Sequence, residues 1–239
     1  MNKTILKVEG LSKCFKKRKV VDNVSFESKE GEILGFLGAN GAGKTTTIRM
    51  ITGLISYDNG NVIIDGYNIK NDFEKAMDNV GAIVEIPFLY EYITGMENIQ
   101  LFAKLYKASE EGVQEAIRVS GLKERLNDKV KEYSLGMKQR IGLAVALMKQ
   151  PKLLILDEPT NGLDPMGIRD LRDFLKDLAH NKKVSVVVSS HILVEMEQLC
   201  DRVVIISDGK IICTKTMDEI ERESSLEDVF INAIREENK

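Results

Sequence analysis

The chain has 239 residues, 34 of them basic and 37 acidic, for a formal net charge of −3. That length suffices for one large α/β domain with a sizeable core, and the near-balanced charge gives no sign of bulk attraction to nucleic acid. The three cysteines, Cys14, Cys200 and Cys213, lack CxxC spacing, which argues against a disulfide framework or a zinc site and fits a reducing cytosolic setting.

The first residues, Met1-Asn2-Lys3-Thr4-Ile5-Leu6, contain no long apolar region, so no signal peptide is expected. The longest apolar runs, such as Val203 to Ile206, are short. A membrane-spanning helix needs roughly 20 apolar residues. Any service to a membrane must therefore pass through a partner chain.

Short strands are expected at Leu6 to Glu9 and Val20 to Glu27. Between them, Lys13 to Lys19 is a basic run, which reads as a solvated turn. The apolar strand Ile33 to Leu37 then leads into Gly38-Ala39-Asn40-Gly41-Ala42-Gly43-Lys44-Thr45, a match to G-x-x-x-x-G-K-[ST]. Glycines there let backbone N–H groups curl around phosphate oxygens. A helix opening near Gly43, over Thr46 to Leu54, aims its positive end at the anion. Lys44 supplies a cation for the β- and γ-phosphates, and the Thr45 hydroxyl ligates Mg²⁺. Thr46 completes the nucleotide-binding set.

Further strands are expected at Val62 to Ile64 and Val80 to Val84, with Asp65-Gly66 as a hairpin turn. From Thr94 the pattern becomes helical. Thr94-Gly95-Met96-Glu97 reads as a capping box. Gly112 to Val119 and Gly136 to Lys149 give two more helices, the last stopped before Pro151. Residues 92–147 thus read as a helical subdomain inserted into an α/β core formed by residues 1–91 and 148–239.

The strand Leu153 to Leu156 ends in Asp157-Glu158. In an open α/β sheet, ligands sit at the carboxyl ends of strands. Asp157 is therefore placed near the phosphate loop as a Mg²⁺ partner. Glu158 would orient the attacking water as general base. Strands at Val184 to Val188, Val203 to Ser207 and Lys210 to Thr214 follow, the last two joined by Asp208-Gly209. These motifs alone indicate a nucleoside-triphosphate hydrolase or a kinase. Asn181-Lys182-Lys183-Val184 lacks the Asp of a guanine reader, which counts against a GTPase.

Tyr133-Ser134-Leu135-Gly136-Met137-Lys138-Gln139-Arg140 resembles the signature loop of the ABC ATPases, usually Leu-Ser-Gly-Gly-Gln. Ser134 and Gly136 agree with that pattern; Leu135 and Met137 depart from it. Asn161-Gly162-Leu163-Asp164 resembles the D-loop, and Ser189-Ser190-His191 the switch loop. The resemblance covers nearly the whole chain. It implies a P-loop NTPase fold of ABC ATPase type, with a mixed sheet core and an N-terminal antiparallel β part. Phe15 would stack on adenine, and His191 would sense the γ-phosphate. Ser134, Gly136 and Met137 would cover ATP held by a second copy, with Asp164 at the joint between subunits. Glu85 stands where the family usually has Gln, as a further oxygen ligand for Mg²⁺ and at the loop that touches the membrane partner.

Glu85 together with Ser-Leu-Gly-Met-Lys is similar to the bacterial lantibiotic-immunity and bacitracin-export ATPases. The short stretch after Leu226-Glu227-Asp228-Val229-Phe230 suits the lantibiotic-immunity type. The resemblance implies ATP and Mg²⁺ as cofactors, a dimer of identical chains, integral-membrane permease subunits as partners and no nucleic acid. It places the chain in the cytoplasm, peripheral on the inner face of the membrane, powering export of a peptide antibiotic. Besides an ABC exporter for another drug, lipid or ion, three alternatives remain at this stage. One is an ABC-like ATPase acting on nucleic acid or the ribosome, without the usual coiled coils or fused halves. Another is a small-molecule kinase, which leaves Ser134 to Arg140 unexplained. The third is a non-hydrolysing binding module, although Lys44, Asp157, Glu158 and His191 are all present.

Overall fold

The central strands are buried at every position, and their alternate apolar residues enter two different cores. In the computed structural model, which describes residues 2–237, β1 (Thr4–Phe15) and β2 (Arg18–Lys29) form a long antiparallel hairpin. β3 (Ile33–Leu37) leads through the glycine-rich loop into α1 (Lys44–Ile51). β4 (Asn59–Ile64) and the two-residue β5 (Tyr67–Asn68) follow, then α2 (Phe73–Met77) and β6 (Val80–Ile83). α3 (Gly95–Tyr106), α4 (Glu110–Ser120) and α5 (Leu135–Leu147) come next. The chain returns through β7 (Leu153–Asp157), α6 (Pro165–Lys176), β8 (Ser185–Ser190) and α7 (Leu193–Leu199). It finishes with β9 (Arg202–Ser207), β10 (Lys210–Thr216), α8 (Met217–Glu223) and α9 (Leu226–Glu237).

Two sheets result. The smaller is antiparallel, ordered β2-β1-β4-β5; the larger is ordered β10-β9-β3-β8-β7-β6. Its pairs are parallel except β9 with β10. Because side chains alternate along a strand, each strand of the larger sheet serves both faces. Leu34, Phe36, Leu153, Ile155, Val187 and Val204 pack toward the antiparallel sheet. Ile33, Leu37, Leu154, Leu156, Val186 and Val203 pack on the opposite face with α6, α7 and α9. Each such buried side chain contributes about 1.5–3 kcal/mol.

α3, α4 and α5 carry a third core of their own, built on Ile99, Ala116, Leu126, Val130, Ile141 and Ala144. These residues fall inside the stretch proposed as the inserted helical part. Ion pairs tie it to the sheet domain. Glu115 accepts from Lys182 at 2.5 Å, and Arg140 donates to Asp170 at 2.7 Å. Hydrogen bonds from Arg118 and Lys182 hold the Glu115 carboxyl at about 2, well below its usual range.

Each strand expected from the sequence is found, β1 and β2 being longer than expected. Both turn pairs are hairpin turns with left-handed backbone, φ 46° and 87° at Asp65-Gly66 and φ 41° and 80° at Asp208-Gly209. The sequence reading placed no helix beyond residue 149, yet α6, α7, α8 and α9 are all there. Its signals were present. Asp164 caps α6 through the Gly167 N–H, with Pro165 at the first helical position, and Thr216 with Glu219 forms a capping box on α8.

Candidate active site

The glycine-rich loop sits at the carboxyl end of β3, at the centre of the larger sheet. A Cβ at Gly38 would collide with the carbonyl of Ile206, and one at Gly43 would lie 2.9 Å from the Val20 carbonyl. Gly43 also has φ 106°, a region that side chains rarely adopt. Glycine is thus required for the chain to pass between β2 and β9. Gly43 is the N-cap of α1 and offers no side-chain cap, so the opening N–H groups of the helix stay free for an anion.

Lys44 is 5% exposed. A buried cation needs partners. Its Nζ donates to Gly38 O at 2.7 Å and Ala39 O at 3.3 Å, and lies 3.4 Å from Glu158 Oε1. Glu158 in turn places Oε2 2.8 Å from His191 Nδ1. The three side chains proposed for catalysis therefore meet. Two of them, Glu158 and His191, come from the ends of the neighbouring parallel strands β7 and β8. Glu158 has φ 49°, an unusual backbone that turns its carboxylate out of the strand toward Lys44.

Asp157 is 2% exposed and accepts from the Ser189 hydroxyl. Ser189 also holds Glu158: its hydroxyl and its carbonyl each accept from the Glu158 N–H at 3.1 Å. Sequence reasoning treated Ser189 only as part of a loop pattern. The register that sets Asp157 opposite Ser189 gives it this role. Oxygen donors from Thr45 and Asp157 suit a hard cation such as Mg²⁺. Among the described residues no group of three or more His, Cys, Asp or Glu could hold a metal. A divalent ion would thus take its remaining ligands from phosphate and water, as Mg²⁺ commonly does.

Other site residues lie elsewhere. Glu85, with φ 68°, lies two residues beyond β6 and is ion-paired with Arg49 of α1. Arg49 was not singled out from the sequence, and only the fold reveals it as a partner. Phe15 closes the β1–β2 hairpin opposite Arg18, 47% exposed, with the Lys13 ammonium 5.6 Å from its ring centroid. Lys16 to Lys19 are solvent-exposed. Ser134 caps α5 by accepting from the Met137 N–H at 3.3 Å. Ser134, Gly136, Met137 and Asp164 share the wall of a separate cavity of about 790 Å³. Among the described residues, no hydrogen bond or ion pair joins them to the phosphate loop.

The ABC transporter family model matches residues 21–161, more than half of the chain. This chain belongs to the ABC transporter family. The bacitracin transport ATP-binding protein of Bacillus licheniformis is 44% identical over 210 residues, covering 87% of this chain and 69% of that protein. The lantibiotic transport ATP-binding protein of Streptococcus pyogenes is 38% identical over 231 residues, covering 96% of this chain and 97% of that one. A solved ATP-binding cassette, a dimer in a post-hydrolysis state with ADP and Pi, matches with a TM-score of 0.80. It is 26% identical, with 89% of this chain and 99% of that chain covered. The protein is thus an ATP-binding subunit of an ABC transporter, and its ABC ATPase fold is that of an ATP hydrolase. No helix among the described residues is long and apolar enough to cross a membrane.

Proposed function

We propose that this ABC transporter subunit powers export of a peptide antibiotic, working as one of two identical cassettes docked on permease subunits at the inner membrane face. The observation that carries the reading is the split between two sets of residues. Lys44, Glu158 and His191 form one cluster, while Ser134 and Gly136 face a different cavity. A second copy, arranged head to tail, would bring its Ser134 and free α5 N–H groups over the first copy's triphosphate.

In the closed pair, backbone N–H groups of residues 38–45 and the Lys44 ammonium would grip the phosphates. Thr45 and Asp157 would hold Mg²⁺, which supplies charge neutralisation on the phosphates; Glu85 would join them on leaving Arg49. Glu158 would accept a proton from water as the water oxygen bonds to the γ-phosphorus and the bond to ADP breaks. His191 would keep the Glu158 carboxylate aimed and sense departure of the γ-phosphate. Catalysis of this kind is positioning plus charge stabilisation.

The loop after Glu85 supports docking on a membrane subunit. Ile86, Phe88 and Tyr92 are 73%, 80% and 80% exposed. Ile86 and Phe88 border a cavity of about 660 Å³ lined also by Phe73, Phe102 and Tyr106. Exposed apolar groups so clustered mark an interaction surface. The substrate class rests on the bacitracin and lantibiotic relatives and on the Glu85 and Ser-Leu-Gly-Met-Lys features shared with that type.

The test is expression with the neighbouring permease genes in a sensitive host. The inhibitory concentration of a peptide antibiotic such as bacitracin or a lantibiotic should rise. It should return to the baseline with Glu158→Gln, whose hydrolysis should drop at least ~10²-fold while ATP binding persists. Undiminished phosphate release by Glu158→Gln would refute the base assignment. An active ATPase that gives no protection against any peptide antibiotic would refute the export reading.

A further inference from the structure

Leu135 departs from the ABC signature pattern, and the structure gives that departure a partner. Leu135 is 41% exposed, yet its Cδ2 methyl lies against the backbone of Gly162, where any Cβ would collide with it. The contact is reciprocated. Leu163 Cδ2 lies 3.4 Å from the position of a Cβ on Gly136. Residues 134–137 and 161–164 therefore interlock through two leucines laid over two glycines. Gly162 has φ 75°, so the bare backbone is needed for the turn as well as for the contact.

Each loop is also fastened to a functional group. Leu135 opens α5 immediately after Ser134, whose hydroxyl caps that helix. On the other side the Asn161 N–H donates to the Glu158 carbonyl at 3.2 Å, and the Leu163 N–H donates to the Thr160 carbonyl at 3.1 Å. The chain from Glu158 to Leu163 is a short hydrogen-bonded turn with little slack. A shift of Ser134 thus reaches the backbone of Glu158 through one packed side chain and two hydrogen-bonded turns. Close-packed contacts of this kind pass on displacement.

We propose that Leu135 is a positioning residue that couples the two ATP sites of the dimer. Resting on the head-to-tail reading, Ser134 touches the nucleotide bound by the second copy, while Glu158 serves the nucleotide bound by its own chain. Leu135 links the two, so that filling one site sets the geometry of the base in the other. A glycine at 135, as in the usual family pattern, would leave Gly162 uncovered and only the Leu163 contact between the two loops.

The experiment measures steady-state hydrolysis against ATP concentration for the full chain, Leu135→Ala and Leu135→Met. Alanine keeps the helix propensity and removes the methyl contact; methionine restores reach. The wild type should give a Hill coefficient approaching ~2, the limit for two coupled sites. Leu135→Ala should fall toward ~1, and Leu135→Met should recover most of the difference. Leu163→Ala, which removes the reciprocal contact, should show the same fall and serves if Leu135→Ala does not fold. A sigmoidal wild type whose coefficient is unchanged in both alanine variants overturns this proposal alone. A hyperbolic wild type that also forms no dimer with ATP overturns both it and the head-to-tail reading.

Discussion

At the scale of single residues, the site is organised around one buried cation. Lys44 satisfies its charge with two carbonyls of its own loop and with Glu158. A triphosphate entering the loop would offer a stronger partner, since charge-assisted bonds to phosphate exceed those to neutral carbonyls. Lys44→Ala should therefore lose at least ~10-fold in ATP affinity by equilibrium titration with a fluorescent analogue; unchanged affinity would contradict the cradle. Glu85 behaves differently. Its carboxylate is paired with Arg49 on the surface of α1, and its chain neighbours Val84 and Ile86 line the aromatic groove, so on the proposed reading it links the phosphate side of the molecule to the docking side. Glu85→Gln should reduce antibiotic resistance in cells more than it reduces ATPase activity of the purified chain. If resistance is intact while hydrolysis collapses, Glu85 belongs to catalysis and not to coupling.

Among elements, the most local signals were the most legible. The capping box at Thr94 forms in full, Thr94 Oγ1 accepting from the Glu97 N–H at 3.1 Å and Glu97 accepting from the Thr94 N–H at 2.7 Å. The strand–glycine loop–helix at 33–51 was readable because glycine, lysine and an apolar strand occur at fixed offsets. The role of Ser189 and the pairing of Glu85 with Arg49 were not, because they depend on register and on which helix covers which strand end. The turn at Asp65 is a similar case. Its carboxylate, 7% exposed, receives both Lys3 and Lys152. It thereby fastens the β4–β5 turn to the residue before β7. Burial opposes its ionisation, but the hydrogen bonds from Lys152 and Lys3 outweigh burial and hold the carboxyl below its ordinary range. A carboxyl depressed on folding adds stability above its unfolded value, and that stability is lost as pH falls through the folded one. Asp65→Asn should lower the urea midpoint at pH 7, and the gap from wild type should narrow as pH drops below about 4. A gap that is constant from pH 7 to 3 would rule out the ion pair as its source.

At the scale of the whole molecule, the larger sheet is a platform whose strand ends collect the phosphate loop, Glu158 and His191 in one place. The helical part carries Ser134 on a separate core, tied to the platform by pairs such as Glu115 with Lys182. On the proposed reading, one chain presents two incomplete halves of a nucleotide site on different surfaces, and a second copy would complete both. Glu158→Gln should bind ATP without consuming it and so isolate that event. Sedimentation of Glu158→Gln with Mg²⁺ and ATP should show a species of twice the monomer mass, absent with ADP and abolished by adding Ser134→Glu, which sets a carboxylate against the γ-phosphate. A protein that stays monomeric with ATP under these conditions, or a dimer indifferent to Ser134→Glu, would contradict the account.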